Sequence, residues 1–329
     1  MGPTASGKTS LAVELVKTFP FEIISVDSAQ IYQDMDIGVA KPNQDILEKA
    51  PHHLINIMKP NESYSVAQFT QDALQRIDEI LLRKRIPLLV GGTMMYFNAL
   101  EKGINQMPAT DDQFRKVIEE EARQVGWPKL YEKLKSVDKE TAAKLNPNDA
   151  QRISRALEVF YSSGKPLSSY HQSKNKDVFP FSVCKLGLMP SNRKILHQRI
   201  EFRVHEMIEA GLFEEVRSLL QKYPTLQSHM PSMRSVGYRQ TLEYFNGGIE
   251  EKECIDKIIF ATRQLAKRQM TWMRSMENLN LFDASNDNIC NEAIAFVGAR
   301  LSSAQNFTLQ FLPYFLVLLS GELFGIPIA

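Results

Sequence analysis

The chain has 329 residues, 43% hydrophobic and 23% charged, proportions that exclude disordered, collagen-like and disulfide-scaffold proteins. With 39 Lys and Arg against 38 Asp and Glu the net charge is +1, so a nucleic-acid partner has to be met by a local basic surface and not by bulk charge. Cys184, Cys254 and Cys290 stand far apart with no C-x-x-C pair, which reads as unlinked thiols in a reducing cytoplasm and not as a metal site.

The spacing of Leu11, Ala12, Leu15 and Val16 predicts a helix over Lys8–Lys17, stopped by Thr18-Phe19-Pro20. Glu22–Val26 reads as a buried strand with Asp27 at its C-terminal end. Ser65–Lys84 carries one apolar face (Val66, Phe69, Ala73, Leu74, Ile77, Leu81), and a second apolar strand, Ile86–Val90, closes on Gly91-Gly92-Thr93. Loop, helix, strand, helix, strand is the pattern of a parallel α/β sheet. Past Pro108, helices with charged faces run from about Asp111 to Ser162, Phe181–Met189 reads as a strand returning to the sheet, and Asn192–Met273 is mostly helical.

The fold expected is therefore α/β: a P-loop parallel sheet flanked by helices, with a mostly helical inserted domain. The core takes residues 1–108 and 180–300, the insertion 109–179, and 301–329 form an atypical apolar tail. Glu322 and two prolines interrupt that tail, which falls short of the roughly 20 apolar residues of a membrane span. Met1 leads straight into Gly2-Pro3-Thr4 with no basic or apolar leader. No membrane association is expected, and a cytoplasmic monomer is.

Gly2-Pro3-Thr4-Ala5-Ser6-Gly7-Lys8-Thr9 fits G-x-x-x-x-G-K-[ST] at every fixed position. The glycines let successive N–H groups face an anion, the following helix adds its positive end, Lys8 neutralises terminal phosphates, and the Thr9 hydroxyl is placed to ligate Mg²⁺. The strand feeding such a loop needs several residues ahead of Gly2, and only Met1 precedes it, so most of that strand is expected to be missing from the chain as given. The loop by itself specifies a phosphate and not its carrier. N-K-x-D, an apolar strand ending in paired acids and an arginine-rich lid are all absent, which weakens the default reading of a nucleotide.

In their place stand Asp27-Ser28-Ala29-Gln30-Ile31-Tyr32, Met35-Asp36-Ile37-Gly38-Val39-Ala40-Lys41-Pro42 and Gly91-Gly92-Thr93. They are followed by three further segments, at 148–158 (NDAQRISRALE), 234–240 (RSVGYRQ) and 261–269 (ATRQLAKRQ). In order and spacing, from Gly2 to about Arg300, the chain resembles the tRNA dimethylallyltransferases, in their bacterial form. The resemblance implies that Gly2, Pro3, Thr4, Ala5, Ser6, Gly7, Lys8 and Thr9 hold the diphosphate of dimethylallyl diphosphate, with Mg²⁺ on Thr9. It also implies transfer of the dimethylallyl group to N6 of the adenine immediately 3′ of the anticodon, with release of diphosphate.

Asp27 matches the family's catalytic aspartate, a general base for the adenine amine. Its position at a strand end beside the loop puts it in the ligand region, and a capping or Mg²⁺ second-shell role is the alternative. Thr93 matches a threonine near the reacting groups, a turn residue being its alternative.

A stacked adenine has to be drawn out of its loop before it can react. Ile258–Arg274 holds Arg263, Lys267, Arg268 and Arg274 with Trp272 and no acid, and 263, 267 and 274 share a helical face suited to phosphates, a plain solvated face being the alternative. Asp27, Ser28, Ala29 and Gln30, then Thr93, then Gln151, Arg152, Ile153, Ser154 and Arg155 correspond to family segments that touch tRNA. So do Arg234, Gly237, Tyr238 and Arg239, and Lys267, Arg268, Trp272 and Arg274, with Arg115 added from the insertion. The expected partner is a tRNA anticodon stem-loop. The rival functions are an adenylate isopentenyltransferase acting on free nucleotide and a P-loop RNA-binding protein without turnover.

Overall fold

The computed structural model describes residues 1–103, 108, 112–172, 179–307 and 315–318. The chain divides into two compact units, Met1–Glu101 with Phe179–Ala329, and Lys102–Val178.

In the larger unit the glycine loop runs into α1 (Lys8–Thr18), which buries Leu11, Ala12 and Leu15. β1 (Phe21–Val26) follows at once. After α2 (Gln44–Lys49) and β2 (His52–His53), α3 (Val66–Leu82) opens on a capping box in which the Ser65 hydroxyl accepts from the Gln68 N–H and the Gln68 side chain accepts from the Ser65 N–H. β3 (Ile86–Gly91) lies parallel to β1, from Phe21 opposite Ile86 to Val26 opposite Gly91, and α4 (Met94–Lys102) leaves its end.

The smaller unit is helical: α5 (Asp112–Val125), α6 (Trp127–Val137), α7 (Lys139–Ala142), α8 (Ala150–Ser163) and α9 (Leu167–Gln172). Ile118, Leu130, Leu134, Ile153 and Leu157 form its core.

Chain returning to the larger unit forms β4 (Ser182–Val183) and β5 (Leu186–Met189), the expected strand broken in two. The break falls at Lys185, whose ammonium is buried against Glu101 at 2.6 Å, and each half takes different neighbours. Helices α10 (Arg193–Glu209), α11 (Leu212–Lys222), α12 (Tyr238–Phe245) and α13 (Glu251–Arg274) pack around Val204, Leu212, Val216, Tyr238, Leu242 and Ile258. β6 (Asn280–Asp283), α14 (Ile289–Phe307) and β7 (Phe315–Leu318) complete the unit.

The main sheet has the order β2-β1-β3-β7-β4 with every pairing parallel, and β5 and β6 form a second parallel pair. Both faces are covered, as a parallel sheet requires. Ile24 and Leu89 meet Phe69 and Ile77 of α3 on one face, and Ile23 and Leu88 meet Leu11 and Leu15 of α1 and Val297 of α14 on the other.

The slot between β3 and the β4–β5 segment positions the phosphate loop, and it is filled from two ends of the chain. β7 takes one part, with Leu318 opposite Leu89 and Leu316 opposite Val183. Met1 takes the other, donating its amino group to Leu186 O at 2.7 Å and accepting from Leu188 N at 2.8 Å, so that it lies opposite Gly187. Gly187 is four residues beyond Val183, where a strand continuing the β7 register would arrive. The rest of the apolar tail lies outside the described residues, and among the described residues no helix is long and apolar enough to cross a membrane.

Candidate functional site

The glycine loop has the geometry that its sequence calls for. Ala5 and Gly7 stand at φ +61° and +86°, and this left-handed turning curls the backbone into a concave run of N–H groups. Gly7 is the N-cap of α1, so the positive end of that helix faces the same point. A Cβ on Gly2 would lie 2.5 Å from Ser6 Oγ, which explains a residue without a side chain there. The Ser6 hydroxyl is buried with no hydrogen-bond partner among the described residues, a donor available to an incoming oxygen. Lys8 Nζ donates to Pro3 O at 2.7 Å, and burial lowers its pKa to about 8, with Asp27 opposing the shift and Arg203 adding to it.

This loop closes one end of a cavity of about 360 Å³. Thr4–Ser10 supply its polar end, Asp27, Ala29 and Gln30 one side, and Gly38–Ala40 the next. Ile200, Val204, Met207, Val236, Ile258 and Leu265 make much of the remaining wall apolar. Asp27 stands at the end of β1, where its Oδ1 accepts from Ala29 N at 2.9 Å and Gln30 N at 3.4 Å, while Oδ2 makes none of the described hydrogen bonds. Capping thus occupies one carboxylate oxygen, and the other remains for chemistry.

Thr93 does not line the cavity. Its hydroxyl accepts from Ser28 N at 3.0 Å and meets Ser28 Oγ at 3.3 Å, bracing the turn that carries Asp27. Gln30, expected in a segment that touches tRNA, has its amide engaged within the protein: Nε2 donates to Ala40 O at 3.2 Å and Val39 O at 3.4 Å, and Oε1 accepts from Ser25 Oγ.

Two side chains at the site were missed in the sequence. Arg203 of α10 lines the cavity and donates to Thr4 Oγ1 at 3.4 Å, and burial, against the attraction of Asp27 and Glu206, lowers its pKa below the ordinary arginine value. The available signal was an arginine set directly against the apolar stripe Leu196, Ile200, Val204. Gln269 of α13 accepts from Thr4 N at 2.9 Å and donates to Gly92 O at 2.9 Å, tying the phosphate loop to the end of β3. A Cβ at Gly92 would sit 2.4 Å from its amide nitrogen, so that glycine makes room for Gln269.

The residues expected at tRNA divide by exposure. Lys267, Arg268, Trp272 and Arg274 lie exposed on α13, whose opposite face buries Ala266, Gln269, Met270 and Met273. Arg263 is instead paired with Glu201 at 2.7 Å. Arg234 and Arg239 are exposed, whereas Tyr238 is fully buried with its hydroxyl on Glu215, and Gly237, at φ +95°, lines the cavity. The side chain of Tyr238 is therefore core, and its place in the motif reflects packing.

In the smaller unit Gln151 and Arg152 are exposed, and Arg152 pairs with Asp149 at 2.7 Å. Arg155 donates to Pro108 O at 2.8 Å and Arg115 meets the buried Glu158 at 3.5 Å. Ile153 is fully buried and Ser154 nearly so, which takes both side chains away from any surface.

Fold and site together define a P-loop α/β enzyme whose cavity has a cationic end at the glycine loop and is otherwise largely apolar, with one carboxylate beside it. A sequence model described as IPP transferase matches residues 30–276, and one described as Isopentenyl transferase matches residues 1–58. The chain belongs to the IPP transferase family.

It is 50% identical to a tRNA dimethylallyltransferase of Methylobacillus flagellatus, over 92% of this chain and 96% of that one. Identity to the tRNA dimethylallyltransferase of Nitrosomonas europaea is 47%, over 91% and 94%. Among solved structures, the tRNA isopentenylpyrophosphate transferase of Bacillus halodurans is 35% identical with a TM-score of 0.68, covering 93% of this chain and 96% of that one. A eukaryotic dimethylallyltransferase acting on tRNA is 28% identical with a TM-score of 0.76, covering 92% and 78%.

Proposed function

We propose that this protein transfers a dimethylallyl group from dimethylallyl diphosphate to N6 of the adenine immediately 3′ of the anticodon in tRNA, as a cytoplasmic monomer. The observation that carries the reading is the cavity itself. A phosphate loop with Lys8 and Arg203 stands at one end, apolar side chains suited to a five-carbon chain line much of the wall, and Asp27 lies beside them.

The diphosphate rests in the N–H cradle of residues 4–9, where Lys8, Arg203 and the unpartnered Ser6 hydroxyl offset the charge that grows as the allylic C–O bond breaks and its electron pair leaves with diphosphate. The N6 lone pair forms the new C–N bond, and the nitrogen passes its proton to Asp27. Ile200, Val204 and Leu265 keep water from the electron-poor allyl carbon. The donor set fits Mg²⁺, a hard cation held by one or two protein oxygens and by phosphate, with the Thr9 hydroxyl and the diphosphate oxygens as ligands. When bound, the ion would supply further neutralisation of the leaving group.

The test incubates the protein with dimethylallyl diphosphate, Mg²⁺ and an anticodon stem-loop, with free AMP, ADP and ATP as competitors. N6-dimethylallyl adenosine in the RNA is expected. Modification of the free nucleotides alone would establish an adenylate isopentenyltransferase, and binding of both substrates without product would leave an RNA-binding protein. Asp27→Asn is expected to lower kcat by about 10²- to 10⁴-fold, the usual range for a general base, with far less effect on diphosphate binding. Equal losses in both would instead make Asp27 a structural cap.

A further inference from the structure

Three consecutive backbone N–H groups, those of Asp36, Ile37 and Gly38, converge on one point beside the cavity. Such a concavity is an anion site, and here the chain supplies the anion itself. Asp36 N and Ile37 N donate to Glu215 Oε2 at 2.9 and 2.7 Å, Gly38 N donates to Oε1 at 3.2 Å, and the buried Tyr238 hydroxyl donates to the same oxygen at 2.5 Å. Glu215 belongs to α11 and does not line the cavity, but Gly38, Val39 and Ala40 of the turn that it holds do.

The turn is also packed closely from behind and bound from within. A Cβ at Gly38 would lie 2.5 Å from the Tyr238 ring and 2.8 Å from Leu212 Cδ1. From the site side the Gln30 amide grips Val39 O and Ala40 O, and Gln30 N is itself bonded to Asp27 Oδ1. Hydrogen bonds joined by the backbone of the 36–40 turn and by Gln30 thus link Glu215 to Asp27. The diphosphate end, built by the loop, Lys8 and Arg203, has no part in this link.

We propose that Glu215 is a positioning residue for the acceptor: its carboxylate fixes the 36–40 wall and, through Gln30, the carboxylate of Asp27 relative to the incoming base. The inference rests on the transfer reaction proposed above. A carboxylate is required because four donors point at it. An amide in its place would turn an NH₂ group toward one or more N–H donors and leave them unpaired.

The experiment compares wild type, Glu215→Gln and Tyr238→Phe in the full chain, measuring affinity for dimethylallyl diphosphate, affinity for an anticodon stem-loop, and kcat and KM for that RNA. Glu215→Gln is expected to bind dimethylallyl diphosphate within about twofold of wild type and to lose about 10- to 100-fold in kcat/KM for the stem-loop, the scale on which misplaced reacting groups lower rate. Tyr238→Phe keeps three donors on the carboxylate and is expected to show a smaller loss in the same parameter. Equal losses toward both substrates, or no loss in either variant, would overturn the assignment, and if Glu215→Gln does not fold, Tyr238→Phe decides. Should wild type transfer nothing, the transfer reading fails by itself. The two binding constants then judge Glu215, with selective loss of stem-loop affinity supporting it and unchanged or parallel affinities refuting it.

Discussion

At Lys8 two requirements conflict. The transfer proposed above needs its ammonium to meet a diphosphate, yet Lys8 is desolvated, and burial lowers its pKa to about 8. Because the shift is downward, Lys8 is charged below about 8 and neutral above it, and a bound anion favours the charged form. Affinity for dimethylallyl diphosphate is therefore expected to be highest below pH 8 and to fall as pH rises through it, by up to about tenfold per unit. Calorimetric titrations between pH 6.5 and 9.5 check this, and a flat profile would show that the charge on Lys8 does not matter to binding. The motif spacing disclosed the loop with Lys8 and Thr9 in it, because its geometry is carried by neighbours in the chain. Arg203 and Gln269 were not legible in the same way. Each reaches Thr4 from a helix about 200 or more positions later, and nothing local distinguishes them from other polar residues on amphipathic helices.

Helix α13 shows how much of an element can be read from its period. The acid-free run of Lys267, Arg268 and Arg274 with Trp272 does form one exposed face, while Gln269, on the opposite face, holds the phosphate loop. Replacing Lys267 and Arg274 by alanine is expected to reduce the slope of log K against log salt for tRNA binding by about 0.7 to 0.9 per residue and to leave dimethylallyl diphosphate affinity unchanged. Titrations at several salt concentrations measure both, and an unaltered slope would return this face to plain solvation. Ile153 and Tyr238 mark the limit of such reading. Both stand in motifs expected at RNA, and both are fully buried, because the inward side of a helix is chosen by what packs on it: the core of the smaller unit for Ile153, α11 and the 36–40 turn for Tyr238.

At the scale of the whole molecule, β7 and Met1 share the slot between β3 and the β4–β5 segment, and β7 pairs on both sides. Deleting residues 308–329 would leave facing strands unpaired along that part of the slot. At about 1 kcal/mol net per lost hydrogen bond, the melting temperature is expected to fall by roughly 5–10 °C. Thermal unfolding of the shortened protein checks this, and an unchanged melting temperature would mean that β7 carries no load. By itself the sequence determined the phosphate loop, the alternation of helix and strand, the parallel α/β class and the basic face of α13, since each is written in spacing over a few turns. Only the tertiary structure decided which chain segment fills the central slot, that Arg203 and Gln269 join the site, and that Glu215 holds the cavity wall. Those outcomes depend on groups brought together across long sequence separations, where geometry and desolvation, not local pattern, select the partner.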